Sequence, residues 1–380
     1  MKRNWNFSRA RFRAILMKEF IQMLRDRLTF AMMVGIPVMQ LIMFGYAINS
    51  DPHGLPTAVI VGDTGTFGRS IVTSLENSQY FKVVAWPEGP DEAEEMIANG
   101  DVLFVVDIPI DFSRRLQRGE KPAILIEADA TDPVATGNAL AALAQLNRSA
   151  LQHDLVGPLQ TMNPDEPPFE VRVHRRYNPE GKTEYNIVPG LMGTILTMTL
   201  TMMTAAAITR EYERGTMENL LATPALPLEV MAGKIVPFVC VGFIQVGVIL
   251  FTASVLFQVP VVGNLLLLLI AVAVFIAANL SMGFTFSTLA TNQMQAMQMS
   301  FLVFLPSMLL SGFLFPFRGM PEWAQFLGQL LPLTHFIRIV RGILLKGNGW
   351  AEVWPQLWPI LVFLGVMAAI ALRRFRQTLD

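Results

Sequence analysis

In a chain this apolar, chemistry has to come from the few charged stretches, and one of them is concentrated. Arg210, Glu211, Glu213, Arg214 and Glu218 crowd together with Gly215, Thr216, Leu220, Leu221, Thr223 and Pro224. Carboxylates and guanidinium groups at this density suit charge-assisted hydrogen bonding. Leu220 and Leu221 add an apolar edge, and Pro224 stops a helix. Long apolar runs flank the stretch on both sides, so it lies at a water interface. It reads either as an ordinary interfacial loop or as a docking helix that a soluble partner pushes on.

Other chemistries find no support in the residue pattern. The single cysteine, Cys240, sits inside an apolar run, so there is no disulfide framework. The four histidines are scattered without zinc-ligand spacing, and no metal site is expected. No nucleophile–base pattern marks the chain as an enzyme. Gly62-Asp63-Thr64-Gly65-Thr66-Phe67-Gly68 follows a strand pattern and precedes a helix pattern, which invites a phosphate-loop reading. Its spacing is wrong by one and the lysine is missing, so it reads as a glycine-rich turn. With no other Walker-type motif, ATP hydrolysis is not expected of this chain. A net charge of −1 argues against nucleic-acid binding.

The elements that must position the charged stretch are mostly membrane spans. Of 380 residues, 52% are hydrophobic and 16% charged, which is too little charge for a soluble surface. Residues 1–27 form a basic arm in which Phe12, Ile15, Leu16, Phe20, Met23 and Leu24 recur at helical spacing. That pattern predicts an amphipathic helix lying in the lipid headgroup plane. Runs at 28–48, 187–208, 235–257, 264–289, 299–316 and 353–372 are long enough to cross a bilayer. Residues 49–186 differ: short β-rich runs alternate with helical patterns, predicting an inserted α/β domain rich in acidic residues. Residues 209–234 carry the charged stretch, 317–352 read as interfacial or re-entrant helices, and 373–380 form a basic tail. Trp323, Trp350, Trp354 and Trp358 belong to an aromatic belt. The expectation is a polytopic α-helical membrane protein with six spans and an external α/β domain between the first two. The basic residues at both ends, with Arg210, Arg214 and Lys234, place those parts in the cytoplasm and the α/β domain in the periplasm.

Thr194, Thr197, Thr201 and Thr204 fall near one face of the second span. Their hydroxyls bond either to a neighbouring helix or to their own backbone carbonyls. The span cores hold no ionisable residue, which disfavours an ion-coupled transporter. Energy then has to enter through the cytoplasmic segment.

The order Glu-x-Glu-Arg-Gly-Thr-Met-Glu-x-Leu-Leu-x-Thr-Pro over 211–224 resembles the coupling segment of the ABC-2 type transporter permeases. Leu310-Ser311-Gly312-Phe313-x-Phe315-Pro316 with Met320-Pro321-x-Trp323, and Pro332-Leu333-Thr334-x-Phe336-x-x-Ile339-x-Arg341-Gly342-Ile343, resemble that family's fifth-span exit and re-entrant helices. The subgroup most similar in kind is that of YbhS/YhhJ-like inner-membrane drug-export permeases. The resemblance implies the six-span architecture of a type V exporter, working with a separate ABC ATPase that uses ATP and Mg, so that this chain binds no cofactor itself. It also implies a second permease chain, identical or related, and a periplasmic membrane-fusion adaptor. Glu211, Glu213, Arg214, Gly215, Thr216, Glu218, Leu220, Leu221, Thr223 and Pro224 would then dock the ATPase. Lys18, Glu19, Arg25 and Asp26 would anchor the elbow helix beside it. Amphipathic cargo would pass between spans two and five, past Thr197, Met198, Thr201, Met202, Met308 and Phe313. A sensor or mechanical transmitter without cargo is the main rival reading, and an ion-coupled transporter a further one.

Overall fold

The computed structural model describes residues 52–151, 154, 167–213 and 227–377. The elbow residues Lys18, Glu19, Arg25 and Asp26, the first expected span at 28–48, and Arg214, Gly215, Thr216, Glu218, Leu220, Leu221, Thr223 and Pro224 lie outside the described residues.

The amino-terminal half folds as an α/β domain. Its elements are β1 (Leu55–Val61), α1 (Thr66–Asn77), β2 (Phe81–Ala85), α2 (Pro90–Asn99), β3 (Phe104–Ile108), α3 (Phe112–Gln117), β4 (Ala123–Asp129), α4 (Pro133–Ser149) and β5 (Glu170–Arg176). The strands form one five-stranded sheet in the order β2-β1-β3-β4-β5. Only the β3–β4 pair is antiparallel. Alternation along each strand divides the side chains between two faces. Leu55, Val59, Phe104, Val106, Ile124 and Ile126 meet α1, α3 and α4 on one face. Ala58 and Val105 meet Ala93 and Ile97 of α2 on the other. Each large side chain buried this way contributes about 1.5–3 kcal/mol.

The glycine-rich turn after β1 is filled by its own aspartate. The Asp63 carboxylate accepts hydrogen bonds from the N–H of Gly65 at 2.7 Å and from the N–H of Ser113. A Cβ at Gly62 would stand 2.7 Å from the Ile108 carbonyl oxygen, and one at Gly68 would stand 2.5 Å from that of Asp63. Close backbone packing therefore accounts for these glycines, and the Gly65 amide is already used by Asp63.

The second half is a helical bundle: α5 (Glu184–Glu213), α6 (Pro227–Leu256), α7 (Leu265–Leu289), α8 (Gln293–Leu310), α9 (Glu322–Gln329), α10 (Pro332–Arg341) and α11 (Trp350–Gln377). A π-helical turn, Gly342–Lys346, extends α10. Among the described residues, four stretches are long and apolar enough to cross a membrane: Glu184–Glu211, Val236–Leu256, Leu265–Leu289 and Trp350–Arg374.

Several boundaries differ from the sequence reading. The span expected at 299–316 is α8, which begins earlier, at Gln293, and stops at Leu310. Asn292 caps its start by accepting from the Gln295 N–H, so the polar residues between the expected spans 264–289 and 299–316 are largely helical. Gly312, at φ +79°, turns the chain away. Gln293, Gln295 and Gln298 occupy the first turns of α8, and it is not among the four spans above. At the charged stretch α5 continues unbroken through Arg210, Glu211 and Glu213, so these residues belong to the span helix. The helix expected at 235–257 starts at Pro227, and the last one covers 350–377 rather than 353–372.

Apolar residues of α5, α6, α7, α10 and α11 share one core. Within it α10 is enclosed: the Phe336 ring stacks on Phe275 of α7 at 3.9 Å between centroids, nearly parallel. The α/β domain sits at one end of the bundle. Asn186 at the start of α5 donates to Asp132, and Lys346 reaches Asp129. The end of α5, the α7–α8 turn and the end of α11 lie at the other end, where Ile208, Phe284 and Ala371 pack together.

Candidate functional site

The charged end of α5 is joined to the start of α8. Glu213 Oε1 accepts the N–H of Gln293 at 2.8 Å, capping α8 from another helix. Gln293 in turn donates from Nε2 to the carbonyl of Ala206 at 3.3 Å. Orphan donors at a helix start favour a carboxylate both as acceptor and as countercharge. Glu213 thus holds α5 and α8 together at the end remote from the α/β domain, close to where the chain enters the 214–226 segment. Glu211 is half-buried beside it.

From there α5 runs between α7 and α8, and the residues expected along a passage divide between its faces. Thr197 and Thr201 are buried. The Thr197 hydroxyl donates to its own helix at Gly193 O, and Thr194 likewise to Gly190 O and Leu191 O. Thr201 and Thr204 press on α7 at Gly283, where an added Cβ would stand 2.6 Å from the Thr201 carbonyl oxygen. Their hydroxyl oxygens are buried with no hydrogen-bond partner among the described residues. Thr199 bonds across to Gln245 of α6 at 3.0 Å. Met198, by contrast, is 41% exposed on the outside of α5, while Met202 and Met308 are half-buried. Phe313 lies against Gly190 so closely that a Cβ there would meet its ring. The structure therefore brings Phe313 to α5 but sets Thr197 and Thr201 in helix packing, away from Met198.

At the other end, a set of polar residues given no individual role in the sequence reading ties the α/β domain to α10. Lys346 Nζ donates to Asp129 at 2.6 Å and to the carbonyl of Ile97 at 3.0 Å. Both partners of this ion pair are almost fully buried. Arg341 donates to Asn186 and faces Asp132 at 3.9 Å. Burial pulls the Arg341 guanidinium below its ordinary range, while Asp132 and Asp129 oppose that shift. His335 bonds Gln356 and the carbonyl of Gln329, each at 2.8 Å. The signal in sequence is the run His335, Arg338, Arg341, Lys346 inside an otherwise apolar segment.

A polytopic helical membrane protein emerges, with an α/β domain bolted to one end and a charged helix terminus at the other. The profile of the family described as "ABC-2 family transporter protein" matches residues 27–373, and the chain belongs to that family. Among similar proteins are the "Probable multidrug ABC transporter permease YbhR" of Escherichia coli, 28% identical over 96% of this chain and 97% of that one. The "Inner membrane transport permease YhhJ" of the same species is 30% identical over 85% and 86%. "ABC transporter G family member 20" of Dictyostelium discoideum is 26% identical over 94% of this chain and 50% of its own length. The chain is an ABC transporter permease of the ABC-2 type.

Proposed function

We propose that this chain is the membrane subunit of an ATP-driven exporter in a bacterial inner membrane, moving amphipathic, drug-like molecules outward. A separate ATPase docks on the segment after α5, and a second permease chain completes the pathway. Two similar permeases are named for multidrug transport or for inner-membrane transport. The apolar spans carry charge only at their ends, so ion coupling inside the membrane has no candidate group. The observation that carries the reading is the Glu213–Gln293 link. A push on the 214–224 segment would move α5 and α8 together, and Phe313, just beyond α8, lies against α5 at the far end.

Glu213 has a structural task in α8, so it is a poor residue for testing docking. Leu221→Asp and Glu218→Ala test it better. Leu221→Asp would place an unpaired charge in the ATPase contact, at a cost of about 3–5 kcal/mol, which is a loss of roughly 100-fold or more in affinity. The expected outcome is normal membrane expression with lost co-purification of the ATPase and lost export. Undiminished ATPase binding by well-expressed Leu221→Asp protein would discard the docking role.

A further inference from the structure

Between the α/β domain and the α10–α11 end of the bundle lies a cavity of about 320 Å³. Four cations line it: Arg318, Arg338, Arg341 and Lys346. Two are neutralised, Lys346 by Asp129 and Arg341 by Asp132. The other two are not. Neither Arg318 nor Arg338 has a carboxylate within ion-pair distance among the described residues. Arg338 has only a long contact to Gln356 Oε1, at 3.5 Å, and that oxygen already pairs with His335. Its guanidinium otherwise lies over the Phe317 ring at 4.5 Å.

Placing a half-buried guanidinium beside other cations is costly without an anion. Burial, and then the like charges of Arg318 and Arg341, lower the Arg338 pKa to about 10, so it still carries its charge at neutral pH. Acidic residues are present but do not fill this role. Asp101 is exposed, and Glu352 Oε2 accepts the Gly349 N–H at 2.7 Å. Together with Asp129 and Asp132 these carboxylates balance the four cations, so an anion is held here by the local pair Arg318 and Arg338 rather than by net charge.

The depth of the cavity narrows the ligand. Glu352 and Gln356 of α11 line it, and Trp350, Trp354 and Trp358 alternate with them along the same turns. These tryptophans are about half exposed, and the rings of Trp350 and Trp354 stack at 5.8 Å. Residues two apart on a helix point to nearly opposite sides. The tryptophans therefore mark the headgroup layer on the outside of α11 at the height of the cavity on its inside.

We propose that this cavity binds one phosphate group, clamped by Arg338 and Arg318, either as a phospholipid headgroup or as free phosphate. Planar guanidinium forks match phosphate oxygens in a way that a single ammonium does not. The assignment does not depend on what is transported or in which direction.

The test uses the full chain, purified and delipidated in detergent, with phosphatidylglycerol and inorganic phosphate as separate probes. Native mass spectrometry counts retained lipid, and thermal unfolding reports phosphate binding. Wild type should retain one phosphatidylglycerol. Arg338→Gln should weaken retention at least tenfold, Arg318→Gln by a smaller factor, and Arg373→Gln, at the opposite end of the bundle, not at all. Insensitivity to millimolar inorganic phosphate assigns the site to a headgroup, and displacement of the lipid by it assigns the site to soluble phosphate. Retention and phosphate response unchanged in Arg318→Gln and Arg338→Gln would overturn the proposal. Because Arg318 is exposed, its variant keeps the test decisive even where Arg338→Gln fails to fold.

Discussion

Two aspartates of the α/β domain respond to the fold in opposite senses. Asp63 loses solvent, which works to raise its pKa, but hydrogen bonds from Ser113 and from the Gly65 N–H prevail and hold it below the ordinary carboxylate range. Its contribution to stability is present above the unfolded value of about 3.9 and is lost as pH falls through the depressed one. Asp107, on β3, is pushed up by burial and then by the charge of Glu127. Its ionised form is therefore disfavoured in the folded state, and the penalty is full above the raised pKa and vanishes as pH falls below the unfolded value. Asp107→Asn should raise the melting temperature of the full chain at pH 7, with the gain shrinking to nothing as pH falls below the unfolded carboxylate value of about 3.9. Intrinsic-fluorescence melts across that range check this. A less stable Asn variant at pH 7 would mean that the carboxylate supports the fold.

At the scale of elements, the close approach of α5 and α7 rests on one residue. A Cβ at Gly283 would stand 2.6 Å from the backbone oxygen of Thr201 and 3.0 Å from Thr204 Cβ. A backbone atom cannot swing aside, so Gly283→Ala must separate the helices, at about 1–3 kcal/mol. Small residues serve such contacts in membrane bundles, where packing rather than water drives association. Gly247 on α6 has open space, so Gly247→Ala should be neutral or stabilising by up to about 1 kcal/mol through helix propensity. Equal detergent melting temperatures for the two variants would remove Gly283 from this role.

How far such elements can be read from sequence depends on how local their causes are. β2 occupies Phe81–Ala85, a short run rich in strand-favouring Phe81, Val83 and Val84, with exposed residues alternating along it. The six-residue α3 carries too little periodicity to stand out. The start of α8 was hidden because its polar residues look like a link, and its caps are Asn292 and the distant Glu213. On α10, Thr334, His335, Arg338 and Arg341 resemble the wet side of an interfacial helix. They are enclosed instead, and most of their partners, Gly328 O, Gln356, Asn186 and Asp132, come from other elements that no local pattern reveals. The passage residues fared unevenly for the same reason, since Thr197 and Met198 are neighbours in sequence but face different surroundings.

The molecule as a whole is asymmetric from end to end, and that asymmetry bears on orientation. One end carries the α/β domain with the acidic helix α2, including Asp91, Glu92, Glu94 and Glu95. The other carries Arg210 at the end of α5 and Arg373 and Arg374 at the end of α11. Basic residues near span ends are retained in the cytoplasm, whereas acidic ones contribute little. The expected orientation puts the α/β domain outside and the end of α5 inside. The only cysteine, Cys240, is exposed on α6 and is first replaced by alanine. Cysteines are then introduced singly at Glu92 and at Arg374, both at exposed positions. In intact spheroplasts an impermeant maleimide should label the first and not the second, and permeabilisation should expose the second. Labelling of position 374 alone in sealed cells would invert the molecule. It would also put the 214–224 segment outside, beyond the reach of any cytoplasmic ATPase, so the same result would remove the docking reading. Labelling of both positions in sealed cells would place the α/β domain and the end of α11 on one side, and the bundle would then need a different number of crossings between them.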